Sequence, residues 1–177
     1  MSVTVGLRCQ DRDRSRIHIV VILIAIGANL PNAHGHLPLA TCRAAVEALR
    51  SLPGLTLTAV SRWHITPPDP PSSQPDYCNG VARMHGKADP AWLLTRLQAI
   101  EAAAGRHRSV PNAARTLDLD IIAIGTLIRD GREPILPHPR AHLRRFVLAP
   151  LAEIAPDWHH PRLGTSVASL LASLPPV

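Results

Sequence analysis

Aromatic side chains are scarce in this chain: tyrosine and phenylalanine occur once each and tryptophan three times, 3% of 177 residues. The core must therefore be built from Ala, Val, Ile and Leu, and each ring invites the question of what it faces. Lysine is almost absent, with Lys87 alone among 19 basic residues. We read this arginine bias as genome composition rather than function. The three cysteines, Cys9, Cys42 and Cys78, are odd in number and lack C-x-x-C spacing. That argues against a disulfide framework or a thiolate zinc site and fits a reducing cytoplasm. Long apolar runs are also missing. Segment 17–26 is too short to span a bilayer, and with Ile17, Ile19, Val20, Val21, Ile22, Ile24 and Ile26 it reads as a buried strand. The four arginines and two aspartates of 8–16 give it a superficial likeness to a secretory signal. We expect instead that 1–16 is a disordered extension and that 17–177 is one domain.

What is present is ordinary for a folded protein: 46% hydrophobic and 18% charged residues, which excludes a disordered polar chain. The net charge of +6 favours an anionic partner such as a nucleotide, polyphosphate or nucleic acid, without choosing among them. Helical spacing over 39–50, stopped by Pro53-Gly54, predicts a first helix. Alternation over 55–64 predicts a strand with Leu55, Leu57, Ala59, Ser61 and Trp63 on one face. Five prolines within 65–76 predict a stiff surface loop. A strand over 77–85 follows, then a helix opened by Asp89-Pro90 and closed by Gly105. Another strand is expected at 116–124, a hairpin or short strand pair at 126–136, a helix near 143–154 and a loosely structured tail. This order is that of a ferredoxin-like βαββαβ core, an α+β domain with a mainly antiparallel sheet and helices packed on it.

The most informative segment is 106–120, in which Arg106, Arg108 and Arg115 precede Asp118 and Asp120. On a strand the two aspartates share a face, with Leu117, Leu119 and Ile121 on the other. Like charges so close call for a cation, and paired carboxylates with waters and phosphate oxygens are a common way to hold Mg²⁺. A solvated face on which the arginines pair with the aspartates explains the same pattern. Gln98 and Glu101, three apart on the second helix, are by themselves ordinary helix-surface content. Tyr77 and Asn79 share a strand face directly after the proline loop, a sensible pair for stacking on and hydrogen-bonding a planar heterocycle, though a sheet face needs no ligand to carry them. Cys78 between them points to the core.

Taken in order, IAIGANL (24–30), ITPP (65–68), QPDYCN (74–79), LQAIEAAAGRHR (97–108), RTLDLDII (115–122) and LPHPRAHLRRFVLAPLAEIAP (136–156) resemble the 6-hydroxymethyl-7,8-dihydropterin pyrophosphokinase family of folate biosynthesis. The resemblance spans about 19–164. It implies transfer of pyrophosphate from ATP to the pterin hydroxymethyl oxygen with release of AMP. It also implies two Mg²⁺ ions on Asp118 and Asp120, and a triphosphate faced by Arg106, Arg108 and Arg115. Gln98, Glu101, His138 and Arg144 would complete the nucleotide side. Tyr77 and Phe146, the only Tyr and Phe in the chain, would sandwich the pterin, whose edge Asn79 and Thr66, Pro67 and Pro68 would read. ATP and the pterin would be the partners of a cytoplasmic monomer, with neither nucleic acid nor membrane involved.

Departures are few. Ala28 stands where the family has Ser, and His64 and Pro139 stand where Tyr is usual. Segment 109–114 is one residue shorter and lacks the Arg, Trp and Gly of a loop that closes over the substrates in the family. Two other readings follow: a paralogue with a changed pterin or reduced turnover, and a non-catalytic ligand- or RNA-binding module on the same sheet architecture. The latter lacks an RNP-like aromatic motif.

Overall fold

The computed structural model describes residues 20–105 and 114–175. Strand β1 (Val20–Ala28) leads into helix α1 (Pro38–Arg50), followed by strands β2 (Leu55–Val60), β3 (His64–Thr66) and β4 (Tyr77–Gly86). Helix α2 (Pro90–Ala103), strand β5 (Asp118–Ile124), a 3-10 turn at Ala141–Leu143, and helices α3 (Arg145–Ile154) and α4 (Val167–Ser173) complete the order. The sheet runs β2-β4-β1-β5, with β3 also on β4, and every pairing is antiparallel. This is the expected α+β, ferredoxin-like arrangement.

Side-chain alternation sorts the sheet into two faces. Ile22, Ile24 and Ile26 of β1, Cys78, Ala82 and Met84 of β4, and Leu119 and Ile121 of β5 pack against Cys42, Ala45 and Leu49 of α1 and Leu93 and Leu97 of α2. On the other face Leu23, Val81, Ile122 and Ala123 meet Val147, Leu148 and Leu151 of α3 and Val167 and Leu170 of α4. Helix α2 starts as its sequence directs, with the Asp89 carboxylate accepting the Trp92 N–H at 2.9 Å and proline in the first turn. It ends before Gly105, whose positive φ of 81° suits glycine and whose bare Cα passes close to Ala33. Among the described residues, no helix is long and apolar enough to cross a membrane.

Three expectations need correction. The strand expected over 55–64 is two, β2 ending at Val60 and β3 starting at His64, and within β2 a register shift between Leu57 and Ala59 breaks the alternation, so that Val60 and Trp63 join the α1/α2 face while Ala59 turns to the α3 face. Just past the end of β2, Ser61 substitutes its hydroxyl for a ladder partner, Oγ accepting the Val81 N–H at 2.9 Å. The hairpin of 126–136 is reduced to a single bridge between Arg129 and Leu136. The tail is ordered: Ser166 caps α4 through the Ser169 N–H, and Val167 and Leu170 bury its inner side. Residues 1–16 lie outside the described residues.

Candidate active site

On the α3 side of the sheet, the ends of β1, β4 and β5 that α3 leaves uncovered form the floor of a cavity of about 350 Å³. Gly27 is its centre, paired with Asn79 on one side and Asp118 on the other. Alternation then delivers Tyr77 and Asn79 from β4, and Asp118 and Asp120 from β5, into one space. Strand β3 adds Thr66, the loop after it Pro67, Pro68, Asp69, Ser72 and Gln74, and the segment leading into α3 His138, Arg140 and Arg144, with Phe146 from the helix's first turn.

One wall is aromatic and amide in character. Asn79 Nδ2 donates to Thr66 Oγ1 at 2.8 Å, which orients the amide and ties β3 to β4. The Tyr77 hydroxyl donates to Gln74 Oε1 at 3.0 Å, and burial pushes the phenol above its ordinary pKa. Phe146 lines the same cavity, with the Arg144 guanidinium 5.4 Å from its ring centroid.

The other wall is charged. Arg115 pairs with Asp118 through its guanidinium. Asp120 is held above the ordinary carboxylate range, chiefly by burial and then by the negative charge of Asp118. The nearby charges of His138, Arg115 and Arg144 act in the opposite direction and offset this only in part. Burial lowers the His138 imidazole below its usual value, Nδ1 accepts the Arg140 N–H at 3.2 Å, and Nε2 lies 3.7 Å from Asp120 Oδ2. A neutral ring with its proton on Nε2 satisfies this arrangement. Arg144 is lowered by burial and by the nearby charge of Arg140.

A hard divalent cation fits this pair. A carboxyl whose charged form is disfavoured by a second carboxyl is a place where added positive charge is stabilising. Among the described residues, no cluster of three or more His, Cys, Asp or Glu side chains forms a metal cage. Two carboxylates with water and substrate phosphates are the donor set that suits Mg²⁺.

Residues 23–156 match the model of the 7,8-dihydro-6-hydroxymethylpterin-pyrophosphokinase family. The chain belongs to this family. Among its relatives, the 2-amino-4-hydroxy-6-hydroxymethyldihydropteridine pyrophosphokinase of Pseudomonas aeruginosa is 40% identical over 154 residues, 87% of this chain and 91% of the relative. The enzyme of the same name from Bacillus subtilis is 36% identical over 134 residues, covering 76% and 77%. A solved HPPK-DHPS structure from Plasmodium falciparum shares the fold, with TM-score 0.67 and 10% identity over 89% of this chain. The chain spans 44% of that solved chain's length.

Of the site residues the family resemblance implied, Thr66, Pro67, Pro68, Tyr77, Asn79, Arg115, Asp118, Asp120, His138, Arg144 and Phe146 all line the cavity. Gln98 and Glu101 do not. Glu101 is no surface residue: it is 3% exposed and its Oε1 accepts the Leu119 N–H at 2.8 Å, anchoring the end of α2 to the strand that carries the aspartates. Arg106, Arg108 and the altered segment 109–113 lie outside the described residues. Sequence reasoning gave no role to Gln74, Asn29 or Arg140. The first two stand inside the recognised motifs QPDYCN and IAIGANL, and Arg140 lies two residues from His138, so each was within reach.

Proposed function

We propose that the family's reaction takes place in this cavity, with the pterin against Tyr77, Phe146 and Asn79 and the ATP phosphates at the Asp118 and Asp120 end. The chain is a pyrophosphokinase of folate biosynthesis, transferring pyrophosphate from ATP to 6-hydroxymethyl-7,8-dihydropterin. The hydroxymethyl oxygen forms a bond to the β-phosphorus, the bond from that phosphorus to the α-phosphate oxygen breaks, and AMP leaves as the hydroxyl proton is lost to solvent or phosphate. The observation that carries the placement is that one cavity holds the chain's only Tyr, its only Phe and the aspartate pair.

Each residue's part follows from its chemistry. Tyr77 and Phe146 offer π faces to a flat heterocycle, while the Asn79 amide and Thr66 hydroxyl offer donors and acceptors to its edge. Arg115 and Arg144 offset the negative charge of the phosphates, and Arg106 and Arg108 are assigned the same task. His138, neutral at pH 7, contributes an N–H rather than a charge. Glu101 acts on the nucleotide end through the backbone of β5, and Gln98 shares its helix. Asp118 and Asp120 hold Mg²⁺, two ions in this proposal, which when bound supplies neutralisation of the phosphate charge that the protein's arginines leave unbalanced. Positioning and charge neutralisation carry most of the rate in such transfers.

The test is AMP formation from ATP and the pterin in the presence of Mg²⁺, against a control without pterin. Pterin-dependent AMP that disappears in a folded Asp120→Ala variant is the expected result. Full activity in that variant refutes the placement. AMP release with no dependence on the pterin refutes the substrate assignment.

A further inference from the structure

Asn29, just beyond β1, is 2% exposed and reaches both walls of the cavity without lining it. Its Oδ1 accepts the Arg115 N–H at 2.7 Å, and the Arg115 carbonyl accepts in turn the N–H groups of Asn29 and Leu30 at 3.0 and 3.1 Å. Its Nδ2 donates to Gln74 Oε1 and to the Pro75 carbonyl, both at 3.2 Å. Gln74 Oε1 is also the acceptor for the Tyr77 hydroxyl. A single buried amide therefore joins the segment that presents Tyr77 to the segment that presents Arg115, and through Arg115 to its ion-pair partner Asp118.

We propose that Asn29 is a positioning residue that sets the separation of the pterin wall from the phosphate wall. This rests on the placement of the two substrates given above. The chemistry favours asparagine over its neighbours in size. Both halves of the amide are used, one as an acceptor and one as a donor, so aspartate keeps only the Arg115 side and alanine keeps neither. Because in-line transfer depends on the attacking oxygen and the β-phosphorus meeting at a set distance, a slack joint between the walls costs turnover as well as binding. The loop that Asn29 holds is rich in proline, so it moves as a stiff unit when its anchor is lost.

The experiment is steady-state AMP formation with each substrate varied in turn, alongside thermal melting, for wild type, Asn29→Asp, Asn29→Ala and Gln74→Ala. Asn29→Asp and Gln74→Ala are expected to raise KM for the pterin about five- to tenfold, the scale of one or two lost hydrogen bonds, with KM for ATP within about twofold. Asn29→Ala is expected to raise both and to lower kcat. If Asn29→Asp does not fold, Gln74→Ala, at a half-buried position, carries the pterin arm. Variants that melt earlier while keeping both KM values and kcat at wild-type levels would show a merely structural role and overturn the proposal. So would an Asn29→Asp phenotype confined to ATP. Wild-type protein that makes no pterin-dependent AMP overturns instead the functional reading on which this one stands.

Discussion

Asp120 is a position where activity and stability pull apart, and Asp120→Asn separates them. Its carboxyl sits beside Asp118 on the same strand face, partly buried, and is held above the ordinary value of 3.8 by burial first and the Asp118 charge second. His138, itself lowered by burial, is neutral at pH 7, and the charges of Arg115 and Arg144 offset the rise only in part. Without bound cation and nucleotide the ionised carboxylate therefore destabilises the fold, and an isosteric amide removes that cost. The side chain is 41% exposed, so solvent screens much of the repulsion. We take the low part of the usual range for relieving such a clash, about 0.5–1 kcal/mol. For a chain of this size that corresponds to a rise in Tm of about 1–4 °C. The sign with pH follows from the raised value. The folded chain binds this proton more tightly than the unfolded chain, so the cost is absent below about pH 4 and grows as pH rises through the folded value. Thermal melting of metal-free, nucleotide-free protein from pH 4 to 7.5 is the assay. The gap between variant and wild type should open with pH, while AMP formation by the variant falls by about 10²-fold or more at neutral pH. A variant less stable than wild type at pH 7, or a gap independent of pH, would refute the electrostatic reasoning.

Three further predictions use the same site. Tyr77→Phe keeps the ring and loses only the 3.0 Å bond to Gln74, so pterin affinity should fall by less than about tenfold, whereas Tyr77→Ala removes the stacking face and should cost considerably more; pterin titration by fluorescence separates them. Cys78→Ala should leave pterin affinity unchanged while lowering stability by about 1 kcal/mol, since Cys78 is 2% exposed on the α1 side; a large loss of binding would mean the strand faces are reversed. Gly27→Ala places a Cβ 2.9 Å from Asn79 Oδ1, the far end of a side chain that can shift, so melting should change little while KM for the pterin rises about tenfold and KM for ATP does not.

The α+β architecture was legible because its elements carry strong local signals: the β-branched run of β1, the Asp89-Pro90 start of α2, the alternation around Asp118 and Asp120. Period-two spacing alone places those aspartates together and Cys78 opposite Tyr77 and Asn79, and the structure has Cys78 in the α1-side core and the other four lining the cavity. What failed was register and satisfaction of polar groups. Nothing in LTLTAVSRWH announces the shift at Leu57 and Ala59, because β-branched and small residues fit either face, and the residues that face the shift, Met84 and Arg83, belong to another strand. Helix α4 was missed although Ser166 followed by Val167 and Leu170 is a readable start; the Pro- and His-rich segment before it masked the signal. Glu101 falls on the same stripe of α2 as Leu93 and Leu97, so helical spacing turns it inward, and the sheet shows what a buried carboxylate does there: it accepts a backbone N–H of β5. The joint at Asn29 belongs to the same class, since its bonds reach 45, 46 and 86 residues along the chain.

The sheet face that carries the site is also a core face, and the division between them is set by where α3 lies. Along β4 the same alternation that puts Val81 under α3 puts Asn79 and Tyr77 in the cavity. Along β1 it puts Leu23 under the helix and Gly27 in the open. Strand β5 needs one more device. Asp118 and Asp120 face the cavity, and the register shift against Leu23 and Ile24 allows the neighbours Ile122 and Ala123 both to face α3 before Ile124 returns to the α1 side. Hydrophobic burial at one end of each strand thereby holds the polar groups at the other end at fixed strand spacing, with no side chain at Gly27 to part Asn79 from Asp118. A site assembled in this way depends less on its own internal contacts than on the α3 layer behind it. The clamp of Glu153 on α3, whose carboxylate accepts from the Arg62 and His64 side chains at the foot of β3, belongs to the positioning of Thr66 and Asn79 as much as to the stability of the helix.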